Sequence, residues 1–416
     1  MQNEKELKYV FAWLDLMVYK KKGLFQDFKK KISWYLKEQN PLLLPFLLFI
    51  IGLWYVSSIF LSRFIKNKSN KSIIAFTSLY YNGNSKAVYE FLNKFYPDKY
   101  VCYWVARNLK SFFDVKKICG RVVYVYFPFS FTTFLINTDF LITNDSYLTF
   151  LYDKDVKKIQ LWHGVGPKGI PSDDYSLCNA RCVTSEYTKK RHVDLWNAPP
   201  DKLYVTGFAR MDILKKYLEC SRVELFHQLG FKNEGRIILY APTFDIGLWP
   251  WGEEYNEFEK FCIFCKKNDL ILVLRFHPLV KINRWRVSDI IKKYRNVYWL
   301  DMSKEPDTMK ILAVTDVLVT DWSSIYTDYF LTGRPIVYLE VDKKYYTEVR
   351  GEPEIPADFR AGEIAHSNDE FYESMKIVLN KGNRYRKQQE NLLKIIHGSV
   401  DGNSSERVTK IIDKLL

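Results

Sequence analysis

The sequence predicts an α/β protein with two parallel-sheet halves and a helical, membrane-associated segment at its N-terminus. After Lys71, short β-branched and aromatic runs alternate with helical stretches, a rhythm typical of parallel sheets. The length of 416 residues favours two globular units plus an appendage. An uncharged stretch at 42–62 accounts for the appendage. We therefore divide the chain into a membrane segment at 1–71 and folded domains at 72–215 and 216–416.

The composition indicates a folded protein with a strongly basic N-terminal part. Hydrophobic residues make up 47% of the chain and aromatic residues 17%, which argues against a disordered protein. The first 71 residues hold 13 Lys and Arg against 5 Asp and Glu, a surplus of +8 out of the +14 of the whole chain. Basic residues beside an apolar segment favour an anionic membrane surface as partner. The sequence contains no nucleic-acid-binding motif.

The apolar stretch Leu42–Ser62 carries no charge over 21 residues, enough to cross roughly 30 Å of hydrocarbon as a helix. A buried core helix is the alternative interpretation. Upstream, apolar residues recur at helical spacing within 7–18 and 24–36, which predicts two basic amphipathic helices lying on lipid. Because basic residues flank the stretch on both sides, we favour a re-entrant segment with both flanks in the cytoplasm over a single span.

The seven cysteines predict a reducing compartment rather than a disulfide framework, because their spacing is irregular. Cys262 and Cys265 form a CxxC pair, but neither a second pair nor a nearby histidine in the sequence completes a zinc set. The neighbours Phe261, Ile263 and Phe264 indicate a buried helix face. We therefore predict that these two cysteines are core thiols.

Twelve strands are predicted, in two series joined by a helical, polar link at Lys215–Glu234. The first series lies at 72–78, 100–106, 122–127, 139–144, 158–163, 181–185 and 203–207. The second series lies at 236–243, 270–278, 297–300, 317–321 and 335–340. In parallel sheets, ligands bind beyond the carboxyl ends of the strands. Residues at such ends are His163, Gly207, Thr243, His277 and Asp321.

Two stretches of the second series predict phosphate binding. In VLVTDWSS, Asp321, Ser323 and Ser324 lie where a buried strand turns into a helix, whose N-terminal N–H groups and dipole attract anions. Helix capping by Asp321 or Ser323 is the alternative. In LVLRFHP, Arg275 and His277 alternate and so point the same way, which suits a diphosphate. A strand-end salt bridge is the alternative for this pair.

His163 is the leading candidate for catalysis, because an imidazole titrates near neutrality and can take a proton from a hydroxyl nucleophile. We interpret Gly164 and Gly166 as room for a substrate to approach the backbone. Lys168 is interpreted as a ligand for an anion. The alternative is a histidine that only fills space.

Arg210 and Thr243 are weaker candidates. Arg210 lies at a predicted helix start, where we expect a structural contact with Asp212 as the helix N-cap. Thr243 supplies a hydroxyl in a loop after a strand. The sequence contains no recognisable catalytic triad, HExxH or P-loop, so covalent catalysis and ATP hydrolysis have no support. Direct displacement on a bound phosphate remains the favoured chemistry.

Five motifs occur in one order: WHGVGPKGI, GFARMDIL, LYAPTFD, LRFHP and TDWSSIYTDYFLTGRPIVYLEVDKKYYTEVRG. Together with YYNGNSKAVYEFL at 80–92, they closely resemble the CDP-glycerol:poly(glycerophosphate) glycerophosphotransferase family of teichoic-acid synthesis. The resemblance runs from residue 72 to residue 380. It implies the GT-B architecture, two Rossmann-like domains facing a cleft, with a membrane-associated N-terminus.

The resemblance implies transfer of glycerol phosphate from CDP-glycerol to a hydroxyl on a lipid-linked chain, with release of CMP, at the cytoplasmic side of the cell membrane. It implies His163 as the base that deprotonates the acceptor, and His277, with Ser323 and Ser324, on the donor diphosphate. The candidate set is catalytic His163 and His277 and substrate-binding Gly164, Lys168, Arg210, Thr243, Arg275, Thr320, Asp321, Ser323 and Ser324.

No cofactor is implied, and the sequence shows no evident metal cage, so a metal requirement and the oligomeric state stay open. Three departures from the family pattern bear on the fit of donor polyol and acceptor: Trp322 in place of Tyr, Gly166 in place of Pro or Thr, and Phe208-Ala209 in place of Tyr-Pro. CDP-ribitol is an alternative donor. The other readings are a GT-B glycosyltransferase using a nucleotide sugar for surface polysaccharide synthesis, and a membrane-bound binding protein with an inactive site.

Overall fold

The structure is a computed structural model that describes residues 53, 57, 71–125, 127, 130–131, 134–135, 137–145, 155–168, 175, 178–231, 235–277 and 280–416. The predicted amphipathic helices and nearly all of the predicted membrane stretch therefore lie outside the described residues. Among the helices that are described, none combines the length and the apolar character needed to cross a bilayer.

The first half is built on a parallel sheet with strand order β3-β2-β1-β4-β5-β6-β7. Its strands are β1 (Ser72–Ser78), β2 (Tyr100–Ala106), β3 (Val122–Tyr124), β4 (Phe140–Thr143), β5 (Lys157–Gln160), β6 (Ala180–Val183) and β7 (Leu203–Val205). The described helices of this half are α1 (Gly83–Phe95), α2 (Leu109–Lys117), α3 (Glu186–Trp196) and α4 (Ala209–Glu219). β4 is buried along its whole length because both faces of a parallel sheet are covered.

The second half is built on a parallel sheet with strand order β10-β9-β8-β11-β12-β13. Its strands are β8 (Arg236–Tyr240), β9 (Leu270–Leu274), β10 (Val297–Trp299), β11 (Val317–Thr320), β12 (Ile336–Leu339) and β13 (Glu363–Ala365). The remaining helices are α5 (Arg222–Leu229), α6 (Glu254–Lys267), α7 (Arg284–Lys292), α8 (Thr308–Val314), α9 (Ile325–Tyr329), α10 (Asn368–Lys381), α11 (Arg386–His397) and α12 (Ser404–Leu415).

The C-terminal helix α12 returns to the first half. Its residues Val408, Ile411 and Ile412 are buried in the core of the first sheet. Asp212 of α4 accepts hydrogen bonds from the N–H groups of Ser404 and Ser405 and so caps α12. The predicted second domain at 216–416 is therefore wrong for this helix, because its apolar face is complementary to the first core. The expected capping of α4 by Asp212 is also wrong.

All twelve predicted strands are present, most of them ending earlier than predicted. β13 was missed because three residues are too few for an alternating pattern. The predicted link is helical but divided, since α4 ends at Glu219 and α5 begins at Arg222. Cys262 and Cys265 are fully buried on α6, which confirms the prediction of core thiols.

Candidate active site

Each sheet has a switch point where the strand order reverses, between β1 and β4 in the first and between β8 and β11 in the second. Loops beyond such points are the usual ligand sites of parallel sheets. The two halves meet there, because the Thr327 hydroxyl after β11 donates a hydrogen bond to the Val165 carbonyl after β5, at 3.0 Å. Trp162 and Val165 also join the apolar core of the second half. Loops from both sheets thus meet along one surface, which we call the cleft.

His163 lies three residues beyond the end of β5, on a loop with a sharp bend. Trp162 has φ 59°, a left-handed conformation that turns the chain out of the strand direction. The bend is held from the first half, since the Asn84 amide donates to the Trp162 carbonyl at 2.9 Å. The Arg210 guanidinium donates to the His163 carbonyl at 3.0 Å. These contacts fix the backbone on both sides of the imidazole.

The His163 side chain is exposed on the cleft surface, yet protein surrounds it densely enough to disfavour the charged ring. This desolvation lowers the pKa of His163 below its ordinary value of 6.5. Asp145 and a hydrogen bond with the backbone of Asn144 oppose the shift, and Arg210 adds to it. The imidazole is therefore neutral near pH 7, with one ring nitrogen bonded to Asn144 and the other left to accept a proton.

Sequence reasoning missed Asn144 and Asp145, although both stand at the end of a predicted strand. The Asn144 side chain accepts a hydrogen bond from the Ser85 N–H at 3.0 Å, which joins the end of β4 to the start of α1. Asp145 pairs with Arg107 at 3.2 Å. The available signal was the polar pair directly after a buried strand, the same signal that singled out His163 and Asp321.

Gly164 and Gly166 pack against the second half, which corrects their interpretation as room for a substrate. A Cβ on Gly164 would lie 2.5 Å from the Oγ of Ser324, and one on Gly166 would lie 3.0 Å from its Cβ. The glycines are needed because the loop after β5 touches the start of α9. Ser324 is partly exposed at this contact.

Arg210 braces the site, and its hydrogen bonds go to protein groups. Its guanidinium forms two hydrogen bonds with the buried Asp328, at 2.7 and 3.0 Å, besides the bond to the His163 carbonyl. The expected contact with Asp212 is wrong, because the partner comes from α9 of the other half. We therefore regard Arg210 as a positioning residue rather than the substrate ligand that was predicted.

Three basic residues surround Phe244, with Lys168 contributed by the loop after β5 of the first half and the other two by the second half. The Lys168 ammonium lies 5.3 Å from the Phe244 ring centroid and the Arg350 guanidinium 5.7 Å from it. The His277 ring centroid lies 5.1 Å from that of Phe244. Burial, and after it Arg350, lowers the pKa of Lys168. Burial, Lys168 and then His163 lower the pKa of His277. The cluster favours an anion, which would relieve this mutual repulsion.

Arg350 was missed because a lone arginine in a polar stretch carries no pattern. Its guanidinium also pairs with the Asp245 carboxylate at 2.6 Å. Asp245 opposes the lowered pKa of both His277 and Lys168. Arg350 therefore belongs with the cation cluster, which we define as Lys168 and Arg350 with the His277 imidazole beside them.

Thr243 and Asp321 form a buried brace between the loops after β8 and β11. The Thr243 N–H donates to Asp321 at 2.8 Å, and its hydroxyl donates to the same carboxylate. The Ser323 N–H also donates to Asp321, at 3.3 Å. Burial raises the pKa of Asp321, although the bonds from Thr243 oppose the shift. The brace holds Ser323 and Ser324 at the cleft, where both are partly exposed.

Arg275 and Thr320 are also buried, which corrects their predicted contact with a ligand. Arg275 donates to the carbonyls of Leu300, Glu305 and Pro306 and to the Thr308 hydroxyl. Thr320 donates to the Ala241 carbonyl at 2.7 Å. Arg275 thus stabilises the loop after β10, whereas the His277 ring lies against Phe244.

Trp322 is fully buried, so its difference from the family pattern acts on the core. Its indole N–H donates to the Val341 carbonyl at 2.6 Å, and its ring stacks on Tyr346 with centroids 5.8 Å apart. The Arg360 guanidinium covers the ring at 3.9 Å. Phe208 is likewise buried. The expectation that these two departures alter the fit of a substrate directly is therefore not supported.

The structure brings together the predicted residues His163, Lys168, His277, Ser323 and Ser324 on the surface of one cleft. It places Arg210, Thr243, Arg275, Thr320 and Asp321 behind that surface as braces. Within the ranges that the structure describes, no cluster of three or more His, Cys, Asp or Glu side chains could hold a metal ion.

Residues 59–414 match the family described as CDP-Glycerol:Poly(glycerophosphate) glycerophosphotransferase. The chain belongs to this family. It is 27% identical over 307 residues to the teichoic acid ribitol-phosphate polymerase TarL of Staphylococcus aureus, a match covering 65% of the chain and 51% of the relative. It is 24% identical over 396 residues to the teichoic acid glycerol-phosphate transferase of the same species, covering 85% and 95%. The chain spans about half the length of the ribitol-phosphate polymerases it matches.

Solved structures share the fold. The wall teichoic acid polymerase TagF superposes with a TM-score of 0.66 at 20% identity, over 83% of this chain and 89% of that chain. A TagF variant with a histidine replaced by asparagine, soaked with CDPG, gives a TM-score of 0.67 at 20% identity, over 88% and 97%. The predicted α/β fold with parallel sheets, similar to GT-B, is thereby confirmed.

Proposed function

We propose that this protein transfers a polyol phosphate from a CDP-alcohol to an acceptor hydroxyl on a lipid-linked cell-surface polymer, at the cytoplasmic side of the cell membrane. The acceptor oxygen attacks the phosphorus that carries the polyol, the bond from that phosphorus to the bridging oxygen breaks, and CMP leaves with the bridging oxygen. Family membership supports the reaction class. The observation that carries the proposal is the exposed His163 imidazole on the cleft that also holds Lys168, Arg350 and His277, the last three gathered around the Phe244 ring.

His163 is proposed as the general base. The hydroxyl proton moves to the ring nitrogen that is not bonded to Asn144, as the acceptor oxygen attacks. A base must be deprotonated to act, and the lowered pKa of His163 keeps the imidazole neutral at cellular pH. Asp145 then stabilises the imidazolium that forms, since its negative charge favours the protonated ring.

The cation cluster is proposed as the donor diphosphate site. Phosphoryl transfer is accelerated mainly by positioning and by charges that stabilise the phosphoryl oxygens. Lys168 and Arg350 supply these charges. The neutral His277 ring can donate a hydrogen bond to a phosphate oxygen, and so can the Ser323 and Ser324 hydroxyls, which are held by the brace below them. Leaving CMP gains negative charge, which the same cations stabilise.

CDP-glycerol is the leading donor, and CDP-ribitol is the alternative. The relatives use both polyols, since TarL is a ribitol-phosphate polymerase and the relative that the chain spans almost completely is a glycerol-phosphate transferase. A lipid-linked polyol-phosphate or glycan chain is the proposed acceptor. A nucleotide-sugar donor stays as the competing hypothesis, because one fold hosts many donors.

The test offers CDP-glycerol, CDP-ribitol and UDP-sugars in turn to the purified, detergent-solubilised protein with a glycerol-phosphate-primed lipid acceptor. We expect release of CMP from one CDP-alcohol and no release of UDP. His163→Ala should abolish CMP release while the CDP-alcohol still binds. His366→Ala is the matched control, because His366 is an exposed surface histidine paired with Glu370. Retained turnover in His163→Ala would remove the base assignment, and release of UDP would refute the proposed donor.

A further inference from the structure

Helix α2 presents apolar side chains to solvent on the face that points away from the core. Leu109 and Phe113, four residues apart, are 41% and 55% exposed. On the opposite face, Ser111 and Val115 are fully buried. A surface helix of a soluble domain ordinarily carries polar residues outward. The outward face of α2 therefore has the character of a contact surface.

The apolar surface continues beyond the helix. Ile118, directly after α2, is 52% exposed, and Phe127, after β3, is 54% exposed. The Phe112 ring connects Phe113 with Phe127, since its centroid lies 5.5 Å from that of Phe113 and 6.3 Å from that of Phe127. We call Leu109, Phe113, Ile118 and Phe127, with the basic residues around them, the α2 face.

The α2 face is strongly basic. Residues 107–121 contain five Lys and Arg and one acidic residue, Asp114. Arg107 is largely buried and pairs with Asp145, which leaves Lys110, Lys116, Lys117 and Arg121 as the basic residues of the face. Asp114 pairs with Lys110 at 2.7 Å and lies 4.0 Å from Lys117. Lys116, Lys117 and Arg121 are exposed. Apolar side chains surrounded by cations are the composition of helices that lie in the interface of anionic bilayers.

We propose that the α2 face seats on an anionic lipid bilayer, so that the folded first half contacts the membrane directly. Electrostatics favour the anionic bilayer over two other possible partners of the α2 face. The N-terminal segment 1–71 carries a surplus of +8 and would be repelled by the basic face. A second copy of the same face would be repelled for the same reason. Anionic headgroups attract the basic residues of the α2 face, and its apolar side chains can insert between the headgroups.

This contact places the membrane beside the entrance of the cleft. Leu79, Leu109 and Phe127 follow the carboxyl ends of β1, β2 and β3, at the edge of the first sheet where the cleft opens. Asn108 connects two of these positions by donating to the Leu79 carbonyl. An acceptor anchored in the bilayer would then approach His163 from the membrane surface. The inference goes beyond the proposed reaction and rests on it only for this orientation.

Two exposed cysteines allow a local test in the full chain. Cys119 lies next to Ile118 in the α2 face, and Cys220 lies between α4 and α5. Cys220→Ser leaves Cys119 to carry a fluorescent dye, and Cys119→Ser leaves Cys220 as the matched control. The protein is reconstituted into phosphatidylcholine vesicles with and without phosphatidylglycerol, and a nitroxide-labelled lipid reports contact by quenching. No CDP-alcohol is present, so the result is independent of the proposed reaction.

We expect quenching of the dye at Cys119 that increases with phosphatidylglycerol, and little quenching at Cys220. Replacing Lys116 and Lys117 by alanine should shift the seating equilibrium by about fivefold for each lysine. Trp285→Ser on α7 should have no effect, although Trp285 is 81% exposed. Equal quenching at both cysteines, or no response to the lysine substitutions, would overturn the proposal. Shielding of Cys119 in detergent alone would show that protein covers the face and would also overturn it.

Discussion

Gly164→Ala tests whether the glycines of the His163 loop serve the substrate or the contact between the halves. The added Cβ would lie 2.5 Å from the Oγ of Ser324 and 3.2 Å from its Cβ. Rotation of the serine hydroxyl relieves the first overlap, but the second remains tighter than an ordinary contact. One loop must therefore move. Overpacking of this kind costs about 1–3 kcal/mol.

We expect the free energy of unfolding, measured by urea denaturation, to fall by about 1–3 kcal/mol in Gly164→Ala. CMP release should fall with it, by about 10 to 100-fold, because displacement of a catalytic group by 1 Å costs up to about 100-fold. Adding Ser324→Ala should restore part of the stability, since the closest overlap is with the hydroxyl.

Gly235→Ala is the control, because a Cβ there would meet its nearest neighbour, Ile271, at 3.4 Å, an ordinary contact. Its effect on the free energy of unfolding should stay within about 0.5 kcal/mol. The reasoning is refuted if Gly164→Ala unfolds like the unsubstituted protein and only the KM for the acceptor rises. That result would restore the interpretation of the glycine as room for a substrate.

Three further predictions follow from the same contacts. Asp145→Asn removes a charge that raises the pKa of His163, so the acid limb of the kcat/KM profile should move to lower pH; an unmoved limb would count against the base assignment. Asp328→Asn leaves the buried guanidinium of Arg210 without its charged partner, so the free energy of unfolding, measured by urea denaturation, should fall by about 3–5 kcal/mol. A loss below about 1 kcal/mol would contradict the bracing role of the Arg210–Asp328 pair. His277→Ala should weaken CDP-alcohol binding by about tenfold or more in calorimetry, as expected for a hydrogen bond to a charged group; an unchanged affinity would remove His277 from the donor site.

The strands were predictable because strands buried on both faces are nearly continuous apolar runs, and this pattern is local. The same pattern marks where strands end, which brought His163, His277, Thr243 and Asp321 to attention together. Sequence reasoning missed β13, whose three residues have no pattern of their own. Sequence reasoning also assigned α12 to the wrong half, because the amphipathic pattern of a helix does not indicate which of two cores its apolar face packs against.

The sequence could not show which candidate residues lie on the cleft surface and which are buried behind it as braces. Arg275 and His277 stand two residues apart, yet the first is buried against the loop after β10 and the second is exposed in the cleft. Arg210 finds its carboxylate 118 residues away, at Asp328 on the other half. Such partners depend on how the two halves pack, and the neighbouring residues in the chain do not indicate this packing.

The sequence by itself determined the two parallel sheets, the family and the region where the site lies, because strand pattern and ordered motifs are local properties of the chain. The tertiary structure decided which of the motif residues face the cleft and which hold it together. It also decided the role of Gly164, because the atom that excludes a side chain there belongs to Ser324, in the other half of the protein. Contacts between distant segments arise only when both halves have folded and packed, and they determine the chemistry that each residue can perform.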